Sequence, residues 1–287
     1  MIVVTGATGH VGGLLAHELA RRGADFRLAV TAADRAPDVP AEVVVASYDD
    51  AASLDRALEA GDRVFMVSMF MPPERRLPLH RAFVEAAVRN RVGHVIYLSF
   101  TGAGADTAFT HGRAHGETER MLAESGLSWA ALRNGMYSDE LPSWFDASGR
   151  ITGPGGDGRV SFSFRPELAE TLAILLLDEA HDQRHIVTVT GPESVTLAEL
   201  ARVASEVTGD DYRYEPDEPG DWVAYRRSLG REDWAIEAGL SYYRGVAAGE
   251  ADVVGQDYER LTGKLPITLA QHLDRLRAEM PLARSSS

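Results

Sequence analysis

Hydrophobic positions in the first half of the chain alternate between two rhythms. Short apolar runs at residues 2–5, 26–30, 42–46, 64–68, 94–99 and 129–132 read as six strands. Between them the apolar residues recur at helical spacing. Val11, Leu14, Leu15 and Leu19 fall on one side of a helix over 10–23, which Gly23 ends, since glycine suits the left-handed position after a helix. Further helices are predicted at 53–60, closed by Gly61, and from Pro72-Pro73 to about residue 91, where the proline pair fits a first turn. A fourth covers 110–125 and stops at Gly126.

Strands separated by helices imply βαβ units, right-handed crossovers and a parallel sheet. The predicted fold is α/β: a doubly wound parallel sheet of the Rossmann type, with its ligand crevice at the C-terminal ends of the strands. After about residue 133 the rhythm breaks into short, glycine-rich pieces, notably Gly153-Pro154-Gly155-Gly156-Asp157-Gly158. Helices are predicted near 166–178, 196–208, 219–229 and 268–280, and a strand near 185–190. Residues 1–133 are therefore expected to form a dinucleotide-binding domain. Residues 134–283 are expected to form a smaller α/β lobe over the crevice, with partial return to the main sheet. Residues 284–287 are expected to be a disordered tail. The Gly155–Gly158 loop is placed near the lobe junction, as a candidate lid.

Composition narrows the chemistry. The 287 residues include no cysteine, which excludes disulfides, thiolate nucleophiles and cysteine-based metal sites. The net charge of −14 disfavours general nucleic-acid binding. No basic segment followed by a long apolar run opens the chain, and the apolar stretch at 172–177 is too short to cross a bilayer. A cytoplasmic protein acting on a small molecule is expected, with no membrane or nucleic-acid partner. Assembly into a homo-oligomer is left open.

The strongest motif is Thr5-Gly6-Ala7-Thr8-Gly9-His10-Val11-Gly12, which joins the first strand to the first helix. Gly6 permits the tight turn, Gly9 lets backbone approach a pyrophosphate, and Gly12 lets the helix pack closely on the sheet. The helix N-terminus then offers N–H groups and a positive dipole end. Gly6, Thr8, Gly9, His10, Val11 and Gly12 are the candidate phosphate-binding set.

The Gly6-x-x-Gly9-x-x-Gly12 spacing resembles the short-chain dehydrogenase/reductase superfamily. Three further segments resemble its atypical, NmrA-like branch: Ser125-Gly126-Leu127 with Leu132-Arg133-Asn134-Gly135; Gly191-Pro192 with Val195-Thr196-Leu197; and Leu261-Thr262-Gly263-Lys264-Leu265-Pro266. The likeness is closest to bacterial NADPH:quinone oxidoreductases of the second type, which share the Leu132–Gly135, Tyr137-Ser138 and Gly156-Asp157-Gly158 pieces. The resemblance implies an NAD(P)H-dependent oxidoreductase acting on a quinone or another planar small molecule. Two other readings stay open: a non-redox, isomerase-like biosynthetic enzyme using a pair such as His111 and Tyr137, and an NADP(H)-sensing regulator without turnover.

NADP(H) is favoured over NAD(H), because no acid ends the second strand, and a 2′-phosphate calls for Arg or Lys. Thr31 stands where the similar quinone reductases carry arginine, and Arg35 is the candidate 2′-phosphate partner. Ser47 occupies the position where the family shows an adenine-side aspartate, with Asp49 or Asp50 as substitutes; Asp50 also suits an N-cap. Superfamily members use a Tyr-x-x-x-Lys pair in which the lysine holds the ribose. In register, His111 takes the tyrosine position and His115 the lysine position. His111 reads either as a general acid or as a helix-surface histidine, and His115 as cofactor-facing, and both are candidate catalytic residues. The pair lacks a third ligand for zinc, so no metal is expected. The strand ends supply Ser68, a candidate cofactor contact, and Phe70 and Phe100, candidate stacking residues for the substrate. Asn134 and Tyr137 are the candidate polar handles, with Tyr137 also a candidate catalytic residue.

Overall fold

The computed structural model describes residues 1–182 and 186–280, so the tail expected at 284–287 lies outside the described residues. The first half builds strands β1 (Ile2–Thr5), β2 (Phe26–Val30), β3 (Glu42–Val45), β4 (Arg63–Met66), β5 (His94–Phe100) and β6 (Ser128–Asn134). They alternate with helices α1 (His10–Arg21), α2 (Ala51–Ala57), α3 (Pro73–Arg89) and α4 (Thr110–Glu124). The remainder builds β7 (Met136–Tyr137), β8 (Arg150–Ile151), β9 (Arg159–Ser163), α5 (Arg165–Leu177), β10 (Ile186–Val189), β11 (Ser194–Thr196) and α6 (Leu197–Thr208). It ends with β12 (Arg213–Tyr214), α7 (Pro219–Ser228), α8 (Asp233–Ala247), α9 (Asp257–Thr262) and α10 (Leu269–Leu276).

The chain divides into two compact units. The first comprises Met1–Phe100, Ala114–Arg133 and Arg165–Thr188; the second comprises Thr101–Arg113, Asn134–Phe164 and the residues from Val189 onward.

The first unit holds a seven-stranded sheet in the order β10-β6-β5-β4-β1-β2-β3. β1 pairs in parallel with both β2 and β4, and β2–β3 and β4–β5 are parallel too. Strand order reverses between β1 and β4, and that switch point is where a doubly wound sheet opens its crevice. Every residue of β1 and β2 is buried, as expected of strands covered on both faces. Val3, Met66, Tyr97, Phe83 and Leu122 lie in one core cluster. Gly23 and Gly126 follow α1 and α4 with φ of +69° and +78°, the left-handed close their sequence implied. α5 returns to this unit against α1. Arg63 ties α5 down: its guanidinium donates to the carbonyls of Leu175 and Leu176 and pairs with Asp182 at 2.6 Å. Two otherwise unsatisfied helix-end carbonyls are thereby bonded beneath β4.

The second unit contains a three-stranded sheet, β11-β9-β7, and the pair β12–β8. α8 is its central helix, burying Ile236, Leu240, Tyr242, Tyr243 and Val246. The glycine-rich run at 153–158 packs against this helix. A Cβ on Gly153 would sit 1.9 Å from the Tyr243 ring, and one on Gly158 would sit 2.1 Å from the Val246 carbonyl oxygen. These glycines are needed for close packing against a helix, which corrects the reading of the loop as a lid. No helix among the described residues is long and apolar enough to cross a membrane.

Candidate functional site

The site is organised by the turn between β1 and α1. Thr5, the last residue of β1, is a three-way staple. Its hydroxyl donates to the Phe65 carbonyl (2.8 Å), accepts from the Val67 amide (3.0 Å) and bonds the Tyr48 hydroxyl (2.7 Å). β1, the end of β4 and the segment after β3 are thus fixed to one another just before the turn begins. Burial holds the Tyr48 phenol well above its ordinary pKa, so it stays protonated.

The three glycines differ in what requires them. Gly6 has φ of +64°, and a Cβ there would lie 2.5 Å from the Val67 side chain. Gly12 would bring a Cβ to 2.3 Å from the Gly6 carbonyl oxygen, so its close contact is with the turn itself and not with the sheet. Gly9 is different. It is exposed, its φ of −95° is open to any residue, and a Cβ would meet only the Gly6 oxygen at an ordinary 3.4 Å. Protein packing accounts for Gly6 and Gly12 and leaves Gly9 unexplained. Gly9 is also the N-cap of α1, and no side chain caps that helix. An uncapped N-terminus with its bare cap residue facing outward is the cradle that a pyrophosphate fits.

Thr8 is half-buried and His10 exposed beside this turn, while Val11 is buried in the core. Val11 can therefore serve only through its backbone. Thr31 and Arg35 follow β2, with Arg35 closing a short 3-10 turn. Both are exposed, and the Arg35 guanidinium has no hydrogen bond or ion pair among the described residues. Asp50 caps α2, its carboxylate accepting from the Ser53 amide at 3.1 Å, whereas Asp49 is exposed. Ser68 and Phe70 follow β4, and Phe100 ends β5. Phe70 is 76% exposed and Phe100 is half-buried. Because these strands run parallel, their trailing residues all line the same edge of the sheet as Gly9.

A polar network lies beneath that edge. On α3, Arg76 is only 2% exposed, and its Nη1 donates to the Ser68 hydroxyl and the Met69 carbonyl, each at 3.3 Å. The Tyr97 hydroxyl is joined to His115 Nδ1 at 2.9 Å. Burial pushes the Tyr97 phenol up to about 12 against the opposing pull of Arg76, Ser68 and Thr118, so it keeps its proton at neutral pH. His80 is fully buried, with Nδ1 bonded to the Thr118 hydroxyl at 2.9 Å. Burial, reinforced by the Arg76 charge, lowers its pKa from 6.5 to about 3. A second buried cluster joins Ser99 and Arg133 to Glu119. Arg133 makes a bidentate pair at 2.9 and 2.5 Å, and Ser99 donates at 2.5 Å. The network and the cluster both escaped sequence reasoning. The one available signal was an arginine inside an otherwise apolar strand, Leu132-Arg133.

Three predicted residues lie in the second unit, and two of them have different surroundings from those expected. His111 is 3% exposed, stacked on Phe109 with ring centroids 5.7 Å apart and flanked by Trp234 at 6.2 Å. The helix-surface reading of His111 is therefore corrected: it is a core histidine. The reason is that α8 covers this end of α4, with Ser241 accepting from the Thr110 amide at 3.1 Å. Asn134 is 3% exposed, with its amide donating to the neighbouring Gly135 carbonyl at 2.6 Å. Its polar group is engaged locally, which corrects its reading as a handle for substrate. Tyr137 is half-buried in β7, paired with Ser163 of β9.

The chain is similar to known proteins over most of its length. A family model described as NAD(P)H-binding matches residues 6–179. An NmrA-like family domain-containing oxidoreductase of Aspergillus flavus is 31% identical over 281 residues, covering 92% of this chain and 91% of the relative. The structure of an NADPH-dependent quinone oxidoreductase of Escherichia coli, complexed with NADPH, superposes with a TM-score of 0.87. It is 26% identical, and the match covers 96% of this chain and 99% of that one. A triphenylmethane reductase of Citrobacter complexed with NADP(H) superposes with a TM-score of 0.86 at 25% identity, covering 96% and 99%. The chain belongs to the NAD(P)H-binding oxidoreductases of the NmrA-like branch, atypical members of the short-chain dehydrogenase/reductase superfamily.

Proposed function

We propose that this protein is a cytoplasmic NADP(H)-dependent reductase that passes hydride to a quinone or a similar planar, electron-poor small molecule. The observation that carries the reading is Gly9: a bare, exposed N-cap that packing does not require, on a fold whose relatives bind NAD(P)H. The choice of NADP(H) is supported by Arg35 after β2, whose guanidinium is uncommitted among the described residues, and by the absence of an acid at that strand end.

The cofactor supplies the hydride, and the chain's own residues supply placement. The α1 N-terminus would receive the pyrophosphate, Arg35 the 2′-phosphate and His115 the ribose side. Phe70 and Phe100 would give a planar acceptor aromatic surface. A quinone needs little acid assistance, because its reduced oxygen is a far weaker base than an alkoxide. That suits a site with no Tyr-x-x-x-Lys pair, in which orientation bears most of the barrier reduction. The test is stopped-flow NADPH oxidation with a benzoquinone or naphthoquinone acceptor. Consumption of NADPH in equal amount to quinone supports the reading. Tight NADPH binding with no oxidation under any acceptor would instead make the protein a cofactor sensor.

A further inference from the structure

The segment 101–109 is the direct continuation of β5 past Phe100, and a doubly wound sheet binds its ligand outside the carboxyl ends of its strands. Loops that leave such strand ends carry binding residues, and they are ordinarily mobile. This one has little to hold it from within. Ala105 and Asp106 are exposed, and from Gly102 to Asp106 the one hydrogen bond among the described residues runs from the Gly104 amide to the Gly112 carbonyl at 3.4 Å.

Its anchorage comes from Glu250, far along the chain. The Glu250 carboxylate accepts from the Thr107 hydroxyl at 2.5 Å and from the Ala108 amide at 2.9 and 3.0 Å. The backbone explains how the carboxylate gets there. α8 ends in a left-handed turn: Gly249 has φ of +80°, its amide donates to the Val246 carbonyl, and the Glu250 amide donates back to the Gly245 carbonyl at 2.9 Å. That close fixes Glu250 against the last turn of the helix. A Cβ on Gly245 would lie 2.8 Å from Glu250 Oε2, and one on Gly102 would lie 3.1 Å from the Glu250 carbonyl oxygen. The helix and the loop are both pared back around this one residue. At the far end of the loop, Ser241 of α8 accepts from the Thr110 amide at 3.1 Å. The bonds to Glu250 are charge-assisted, so they are the stronger of the two attachments.

We propose that Glu250 is a positioning residue for the electron acceptor: it latches the 101–109 loop, so that the loop forms a fixed wall beside Phe100 where the planar acceptor binds. The proposal rests on the reductase reading above, and it gives Glu250 no contact of its own with cofactor or acceptor.

The latch and its use are measured separately. Hydrogen exchange of the Ala108 amide, followed by NMR on the protein without ligands, reads the latch. Exchange is expected to quicken at least about tenfold in Glu250→Ala, the scale of a hydrogen bond to a charged group. Glu250→Gln keeps the size and loses the charge, and gives a milder variant with a smaller rise. Steady-state reduction of a naphthoquinone by NADPH reads the use. Glu250→Ala is expected to raise the acceptor KM about tenfold, with kcat changed less than about threefold and NADPH affinity by calorimetry unchanged. Glu250→Gln should move KM in the same direction by less. Unchanged exchange at Ala108 in both variants would overturn the latch. A lowered kcat at unchanged KM is what damage to the fold alone would give, and it would overturn the acceptor role. So would a matching loss of NADPH affinity, because the loop would then act on the cofactor. If wild type reduces no quinone, the reductase reading fails and the acceptor role with it, while the exchange rates still decide the latch.

Discussion

Lowering the pH should destabilise this fold, and His80 accounts for a separable part of the loss. Its Nδ1 carries the proton, since Thr118 donates to the Ala114 carbonyl and must accept from the ring. Its Nε2 is buried with no hydrogen-bond partner among the described residues. Protonation there would place a second cation beside Arg76 in the core, between the rings of Tyr48 at 6.3 Å and Tyr97 at 5.6 Å. The folded pKa is accordingly about 3 against 6.5 for an ordinary histidine. The sign follows from linkage: the unfolded chain binds a proton that the folded one refuses. Stability is therefore full above pH 6.5 and is lost as the pH falls toward 3. Each pH unit in that window costs about 1.4 kcal/mol, so at about pH 5 the loss is about 2 kcal/mol. His80→Asn keeps a donor for Thr118 and cannot titrate. Urea unfolding of wild type and variant at about pH 7.5 and pH 5 isolates the effect. The variant starts less stable because of the cavity it leaves, but its stability should fall by about 2 kcal/mol less than that of wild type. Equal losses in the two proteins would refute the assignment of a buried, neutral His80.

Other perturbations separate binding from folding. Arg35→Ala should weaken NADPH binding about tenfold to a hundredfold, the scale of a hydrogen bond to a charged group, and leave NADH affinity unchanged; calorimetry with both cofactors checks this. His111→Ala should lower the quinone-reductase rate far less than the 10²- to 10⁴-fold of a true general acid, while costing about 2 kcal/mol of stability from the emptied stack on Phe109. Single-turnover oxidation and thermal unfolding measure the two effects. Gly158→Ala, with a Cβ aimed at the Val246 carbonyl, should cost about 1–3 kcal/mol in thermal unfolding without altering NADPH affinity.

The alternation of strand and helix was legible because the inner strands β1, β2, β4 and β5 are largely buried and the helices between them are striped, and these are the patterns that period counting detects. The glycine turn was legible for the same reason: it sits between a strand and a helix that both declare themselves. α8 was missed because Gly239 and Gly245 interrupt a helix whose buried face mixes Tyr242, Tyr243 and Ser241 with few aliphatics. That omission propagated. Without α8 there was nothing for Gly153 and Gly158 to pack against, so their run looked like a mobile loop. Nothing then covered His111, which looked like a surface residue. The buried contacts Arg76–Ser68 and Tyr97–His115 join α3 to the segment after β4 and β5 to α4, and no local spacing brings them together. Only Ser68 and His115 drew attention, each for a direct contact with the cofactor.

The central claim is that the β1–α1 turn holds a dinucleotide at Gly9, and Gly9→Asp tests it with folding and binding pulled apart. The backbone at Gly9 accepts any residue, the new Cβ meets only an ordinary contact, and aspartate is a good N-cap, so the fold should be at least as stable as wild type. The same side chain puts a negative charge where the pyrophosphate must approach. The measurement is an NADPH titration by calorimetry on wild type and Gly9→Asp, with thermal unfolding of both as the control. The account predicts an unfolding temperature equal to or above that of wild type together with loss of NADPH affinity by at least about a hundredfold, the cost of replacing an attractive helix end by a buried like charge. A folded Gly9→Asp protein that binds NADPH as wild type does would contradict it.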